Sequence, residues 1–142
     1  MAEDRRYRVV QWATGNIGRR ALQAVIGHPG LDLVGLWVHS DAKVGRDAGE
    51  LCGMGPTGVT ATNDVDEILA LGADCVLYMP SGTDVDVVCR LLASGANVVT
   101  TRGDFHRPAS MDPAARTIKP ARRGAGGRGS PQANRARAGS GC

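Results

Sequence analysis

The sequence predicts an α/β fold, built as a doubly wound parallel sheet and followed by a basic tail. Three observations predict it. Short apolar runs alternate with helix-length amphipathic stretches as far as residue 101. A turn containing two glycines, Ala13-Thr14-Gly15-Asn16-Ile17-Gly18, joins the first run to the first helix. Patterning then stops: from Lys119 to Cys142 there is no Val, Leu, Phe, Trp or Tyr.

Residues 7–13 read as the first strand. Val9, Val10 and Trp12 make the near-continuous apolar run of a parallel strand covered on both faces. The first helix begins near Asn16, with Ile17, Ala21, Ala24 and Val25 at helical spacing, and ends at Gly27-His28-Pro29-Gly30. Residues 31–38 form the second strand, completing a strand–helix–strand unit. A Gly-rich, charged loop over 39–51 leads through further turns to a short third strand at 59–62. Asp64 with Glu67 has capping-box spacing for a helix that Gly72 stops. The fourth strand spans 73–79. Thr83 is placed to cap the next helix, which packs Val85, Val88, Cys89 and Leu92 on the sheet. The fifth strand spans 97–101, and its outer edge is expected to be open. Asp112-Pro113 looks like the start of one more helix, which Pro120 cuts short.

Length and composition suit one soluble domain. No apolar run approaches the ~18 residues of a membrane span, and the charged N-terminus has no signal-peptide core, so a cytoplasmic protein is expected. The net charge of +3 conceals a division: residues 1–112 carry a net −4, and residues 113–142 carry +7 with no acidic residue. The expected organisation is a folded domain over 1–116 and a disordered Arg/Gly/Ala-rich tail over 117–142. Such a tail is either a non-specific nucleic-acid binder or the out-of-frame reading of a GC-rich gene, which gives the same unpatterned mixture. Cys75 and Cys89 fall in apolar positions and read as inert thiols, with no disulfide framework and no metal site.

In an open parallel sheet, ligands collect at the carboxyl edge of the strands. Four segments meet there: 13–18, 39–43, 80–82 and 101–103. The first departs from the dinucleotide fingerprint GxGxxG only in having Ala13 at its first position, a small steric change. Gly15 lets the backbone approach a pyrophosphate at the helix N-terminus, and Gly18 allows close helix–strand packing. About 20 residues on, an NAD site would show an acidic residue at the end of the second strand. Here His39-Ser40 stand there, with Asp41 and Lys43 following. Ser40 and Lys43, with His39, are suited to a 2′-phosphate, which favours NADP over NAD. Pro80, Ser81, Thr101 and Arg102 lie at the expected nicotinamide end. His106 and Arg107 neighbour the same edge, and a loop His beside Arg and Pro is more often bland than catalytic.

Residues 10–19 (Val10-Gln11-Trp12-Ala13-Thr14-Gly15-Asn16-Ile17-Gly18-Arg19), Gly35-Leu36-Trp37-Val38-His39-Ser40, residues 43–51 and Val98-Val99-Thr100-Thr101-Arg102-Gly103-Asp104-Phe105 resemble the amino-terminal domain of dihydrodipicolinate-reductase-like proteins. Within that family they are most similar to the actinobacterial, 2,4-diaminopentanoate-dehydrogenase-like branch. The resemblance spans about residues 7–116. It implies a Rossmann-type NAD(P)H domain and, in an intact parent, a second domain that brings the substrate, the catalytic groups and the homo-oligomer interface. The implied chemistry is hydride transfer, to a C=C/C=N ring system in the reductases or from an amine-bearing carbon in the dehydrogenases. Ala13 and His39-Ser40 depart from the reductases proper, which carry Gly and typically an acidic residue there.

Two functions follow as expectations. One is the cofactor-binding part of an NAD(P)H-dependent oxidoreductase that is inactive on its own. The other is a nucleotide-binding regulatory module whose basic tail meets nucleic acid or a protein partner.

Overall fold

β1 (Tyr7–Trp12) is the axis of the sheet, because its buried residues Val9, Val10, Gln11 and Trp12 cover both faces. In the computed structural model, which describes residues 5–102 and the strand at 134–136, β1 pairs in parallel with β2 (Leu31–Trp37) and β4 (Cys75–Tyr78). β3 (Ala61–Thr62) adds outside β2, and β5 (Asn97–Thr100) outside β4, both in parallel. β6 (Asn134–Ala136) pairs antiparallel with β5 and occupies the edge expected to be open. The order is β3-β2-β1-β4-β5-β6. The chain therefore winds outward from β1 to β3 and crosses back to β4, making a switch point between β1 and β4. The third strand is shorter than the 59–62 expected. Apart from β6, residues 117–142 lie outside the described residues, as do Phe105, His106, Arg107 and the start expected at Asp112.

The β1–β2 register slips between Val9 and Val10, so that Val9 faces Leu33 and Val10 faces Gly35. Val34 is the extra residue, and a bulge of this kind reverses the in–out alternation. Leu33 and Leu36 thus both join the cluster of Leu22, Val38, Ala48, Cys52 and Ala61. Val34 packs with the other cluster, which includes Val10, Trp12, Val76, Tyr78, Val88, Leu91 and Val98.

α1 (Asn16–Gly27) buries Gly18, Leu22 and Val25 rather than the face centred on Ile17 and Ala24, which are exposed. Both stripes have helical spacing. Only the one beginning at Gly18 lets the helix lie against the turn that precedes it. α2 (Ala48–Leu51) is one turn. α3 (Val65–Ala70) is capped by Asp64, whose carboxylate accepts from the Asp66 N–H at 2.8 Å. α4 (Val85–Ala93) buries Val88, Leu91 and Leu92, and Asp84, not Thr83, caps it by accepting from the Val87 N–H at 3.2 Å. The Thr83 hydroxyl instead accepts from Arg102 Nε at 3.1 Å. Cys52 and Cys75 are not in disulfides, whereas Cys89 is disulfide-bonded, against the expectation of a thiol there.

The chain after β2 is tied by Asp47. Its carboxylate accepts from the N–H groups of Gly49, Thr57 and Gly58 and from the Thr57 hydroxyl. These donors, the Thr57 N–H foremost, hold its pKa below the ordinary carboxylate value. Among the described residues no helix is long and apolar enough to cross a membrane.

Candidate functional site

β1, β2 and β4 all end at one edge of the sheet, and each ends in an aromatic residue. Trp12 and Trp37 stack with centroids 4.5 Å apart and planes 10° apart, and Tyr78 tilts against Trp12 at 5.8 Å. Their indole and phenol rings form the floor of a cleft of about 550 Å³ at the switch point. His39, tilted against Trp37, continues that floor toward the β2 end.

The cleft's first wall is the turn after β1. Ala13 has φ +74°, a left-handed conformation outside glycine. Strain of this type costs about 1–2 kcal/mol for an L-residue. The departure from GxGxxG is therefore conformational, not the small steric change the sequence indicates. The conformation is fixed from both sides: the Ala13 N–H donates to the Trp37 carbonyl at 2.8 Å, and its carbonyl accepts from Gln11 Nε2 at 2.9 Å. A Cβ on Gly18 would collide with that same carbonyl oxygen, so only glycine packs there. A Cβ on Gly15 would meet nothing within 4 Å, which leaves space for a ligand beside the backbone.

The second wall is the loop after β2. Lys43 is half-buried, and its Nζ donates to Thr14 Oγ1 at 3.0 Å, tying this loop to the first turn. Asp41, the acidic residue nearest the strand end, accepts from Asn63 Nδ2 at 2.8 Å and is not part of the cleft wall. The third wall is the β4–α4 loop. Tyr78 Oη accepts from the Asp84 N–H at 2.9 Å, and Arg102 donates to the Ser81 carbonyl at 2.8 Å and to Thr83. Burial pushes the Tyr78 phenol above its ordinary pKa.

Of the residues singled out in the sequence, the cleft brings together Ala13, Thr14, Gly15, His39, Ser40, Lys43, Pro80 and Ser81. It leaves out five. Asn16 and Ile17 line a separate groove with Arg19, Arg20 and Gln23. Gly18 is buried beneath the turn, Thr101 is exposed, and Arg102 braces the β4–α4 loop without lining the cleft. Sequence reasoning missed the aromatic floor, Met79, Thr83, Asp84 and Val87. The available signal was positional: an aromatic closes β1, β2 and β4 alike. Among the described residues no group of three or more His, Cys, Asp or Glu could hold a metal.

The comparisons agree with this architecture. A family model described as "Dihydrodipicolinate reductase, N-terminus" matches residues 9–115. The chain is 46% identical over 98 residues to an amine dehydrogenase of Streptomyces virginiae, covering 64% of this chain and 27% of that protein. It is 36% identical over 110 residues to a 4-hydroxy-tetrahydrodipicolinate reductase of Cupriavidus necator, covering 75% of this chain and 41% of the relative. The fold resembles the amine dehydrogenase structure from Mycobacterium smegmatis, with a TM-score of 0.67 and 25% identity over 75% of this chain and 33% of that one. The chain thus spans well under half the length of these relatives. The fingerprint turn, the strand order with its switch point and the family match lead to one conclusion: this chain belongs to the dihydrodipicolinate reductase N-terminal family and has its Rossmann-like fold.

Proposed function

We propose that residues 1–116 form the nicotinamide-dinucleotide-binding domain of an oxidoreductase, with NADP preferred to NAD. One observation carries the preference. At the β2 end of the cleft the charged group is the Lys43 ammonium, while the Asp41 carboxylate is bonded to Asn63. A lysine at that point suits a 2′-phosphate, whereas NAD selection relies on a carboxylate for the ribose hydroxyl. The residues fit the cofactor: Thr14 and Gly15 border the space for the pyrophosphate, Ser40 and Lys43 take the ribose end, and Pro80 and Ser81 bound the far wall. When bound, the nicotinamide supplies hydride transfer. The chain's own residues bind and orient it, and the aromatic floor excludes water from one side.

The named activities of the relatives, amine dehydrogenation and 4-hydroxy-tetrahydrodipicolinate reduction, belong to longer proteins, of which the matched segments make up 27% and 41%. Calorimetric titration with NADPH and NADH tests the reading. Tighter binding of NADPH, with Lys43→Ala removing most of the difference, supports it. Equal or tighter binding of NADH overturns the preference, and no binding of either overturns the function.

A further inference from the structure

We propose that Gln11 is a positioning residue that holds the first turn in the form a cofactor's pyrophosphate requires. The proposal rests on the cofactor reading above and extends it to a side chain outside the cleft.

Gln11 is fully buried in β1 and points beneath the turn. Its amide nitrogen has two hydrogens, and two carbonyls face it: Ala13 O at 2.9 Å and Trp12 O at 3.4 Å. Both are acceptors, so the nitrogen and not the oxygen must lie on that side. The amide oxygen is left buried without a hydrogen-bond partner among the described residues. A site that tolerates this is organised around the donor.

What the donor holds is the peptide between Ala13 and Thr14. A trans peptide is planar, so its C=O and N–H point in opposite directions. With the Ala13 carbonyl drawn inward to Gln11, the Thr14 N–H is turned away from Gln11, on the side where Thr14 lines the cleft. The φ of +74° at Ala13 is the cost of that orientation. Gly18 packs its bare Cα against the same carbonyl and offers no side chain to replace Gln11. Without the amide, the carbonyl is buried and unpaired, and rotation about the Ala13 N–Cα and Cα–C bonds, out of the left-handed region, frees the carbonyl and relieves the strain. The same rotation carries the Thr14 N–H away from the cleft. In fingerprints that begin with Gly, φ > 0 is free of this strain. Here Gln11 supplies by hydrogen bonding what the first glycine supplies by having no Cβ.

The distinguishing consequence is a coupling between positions 11 and 13. The experiment uses the full chain as wild type, Gln11→Leu, Ala13→Gly and the double variant. Amide hydrogen exchange at Thr14 and Gly15 is measured without cofactor, and NADPH affinity by calorimetry. Gln11→Leu is expected to speed exchange at these amides and to weaken NADPH by about tenfold, while in the Ala13→Gly background the same change costs about threefold or less. An equal factor in both backgrounds, or no effect in either, overturns the proposal. If Gln11→Leu does not fold, Gln11→Met replaces it in the same cycle, because it also lacks donors and keeps the length. If the wild type binds neither cofactor, the role in binding falls with the proposed function, and the exchange rates alone decide whether Gln11 holds the turn.

Discussion

The two sides of the cleft are held in different ways. The turn after β1 is set from beneath, by a buried amide, a bare glycine and a strained alanine packed on one carbonyl. The loop after β4 is set from its rim, by hydrogen bonds from Arg102 to Ser81 and Thr83 and by the Tyr78 hydroxyl at Asp84. The first arrangement converges on a single carbonyl, so its parts are coupled. The second is a set of separate polar contacts, each removable with a graded effect. Under the proposed function, the first turn needs fixed backbone dipoles to meet a pyrophosphate, whereas the opposite wall bounds the far side of the cleft.

The comparison is broken most severely at Gly18. Gly18→Ala puts a methyl group into the Ala13 carbonyl, and urea unfolding is expected to show a loss of about 3 kcal/mol, the upper end for overpacking. A loss below about 0.5 kcal/mol, the scale of an ordinary surface substitution, would show that the turn yields and would remove the contrast. On the other wall, Arg102→Leu removes donors to Ser81 and Thr83 and is expected to cost about 1–1.5 kcal/mol. Faster amide exchange should then be confined to the β4–α4 loop, and spread to the first turn would contradict the separation. Tyr78→Phe keeps the buried ring and removes only the acceptor for the Asp84 N–H, so thermal melting should register about 1 kcal/mol.

The smallest effect concerns the Asp47 tie. Its folded-state pKa lies below the ordinary carboxylate value, so its contribution is complete above the unfolded pKa and is lost as pH falls through the folded one. Acid titration followed by NMR should loosen residues 47–58 before either cleft wall changes. Loosening at neutral pH, or none before global unfolding, would refute this order.

Much of this was legible in the residues. β1, β2, β4 and β5 announce themselves as apolar runs, because parallel strands are covered on both faces. The glycines of the first turn mark the cleft's first wall, and Lys43 its second. What was illegible depends on contacts between distant positions. Periodicity gives α1 two apolar stripes, and only docking against Ala13 selects Leu22 over Ile17 and Ala24. Thr83 and Asp84 are both acceptable caps, and Arg102, 19 residues away, claims the threonine. Nor does spacing betray that Asp41 is engaged by Asn63, or that Gln11 turns beneath the loop rather than toward solvent. The bulge at Val34 is silent for the same reason: it exists only relative to β1.

The stacked indoles give the protein an optical property of its own. The sequence contains two tryptophans, Trp12 and Trp37, and both line the cleft in near-parallel contact. Their transition dipoles are close enough to couple, so the tryptophan bands of the near-ultraviolet circular dichroism come from this one place. A bound ring or a shift of β2 against β1 changes those bands. The cleft carries its own chromophore, and its occupancy is readable without a label.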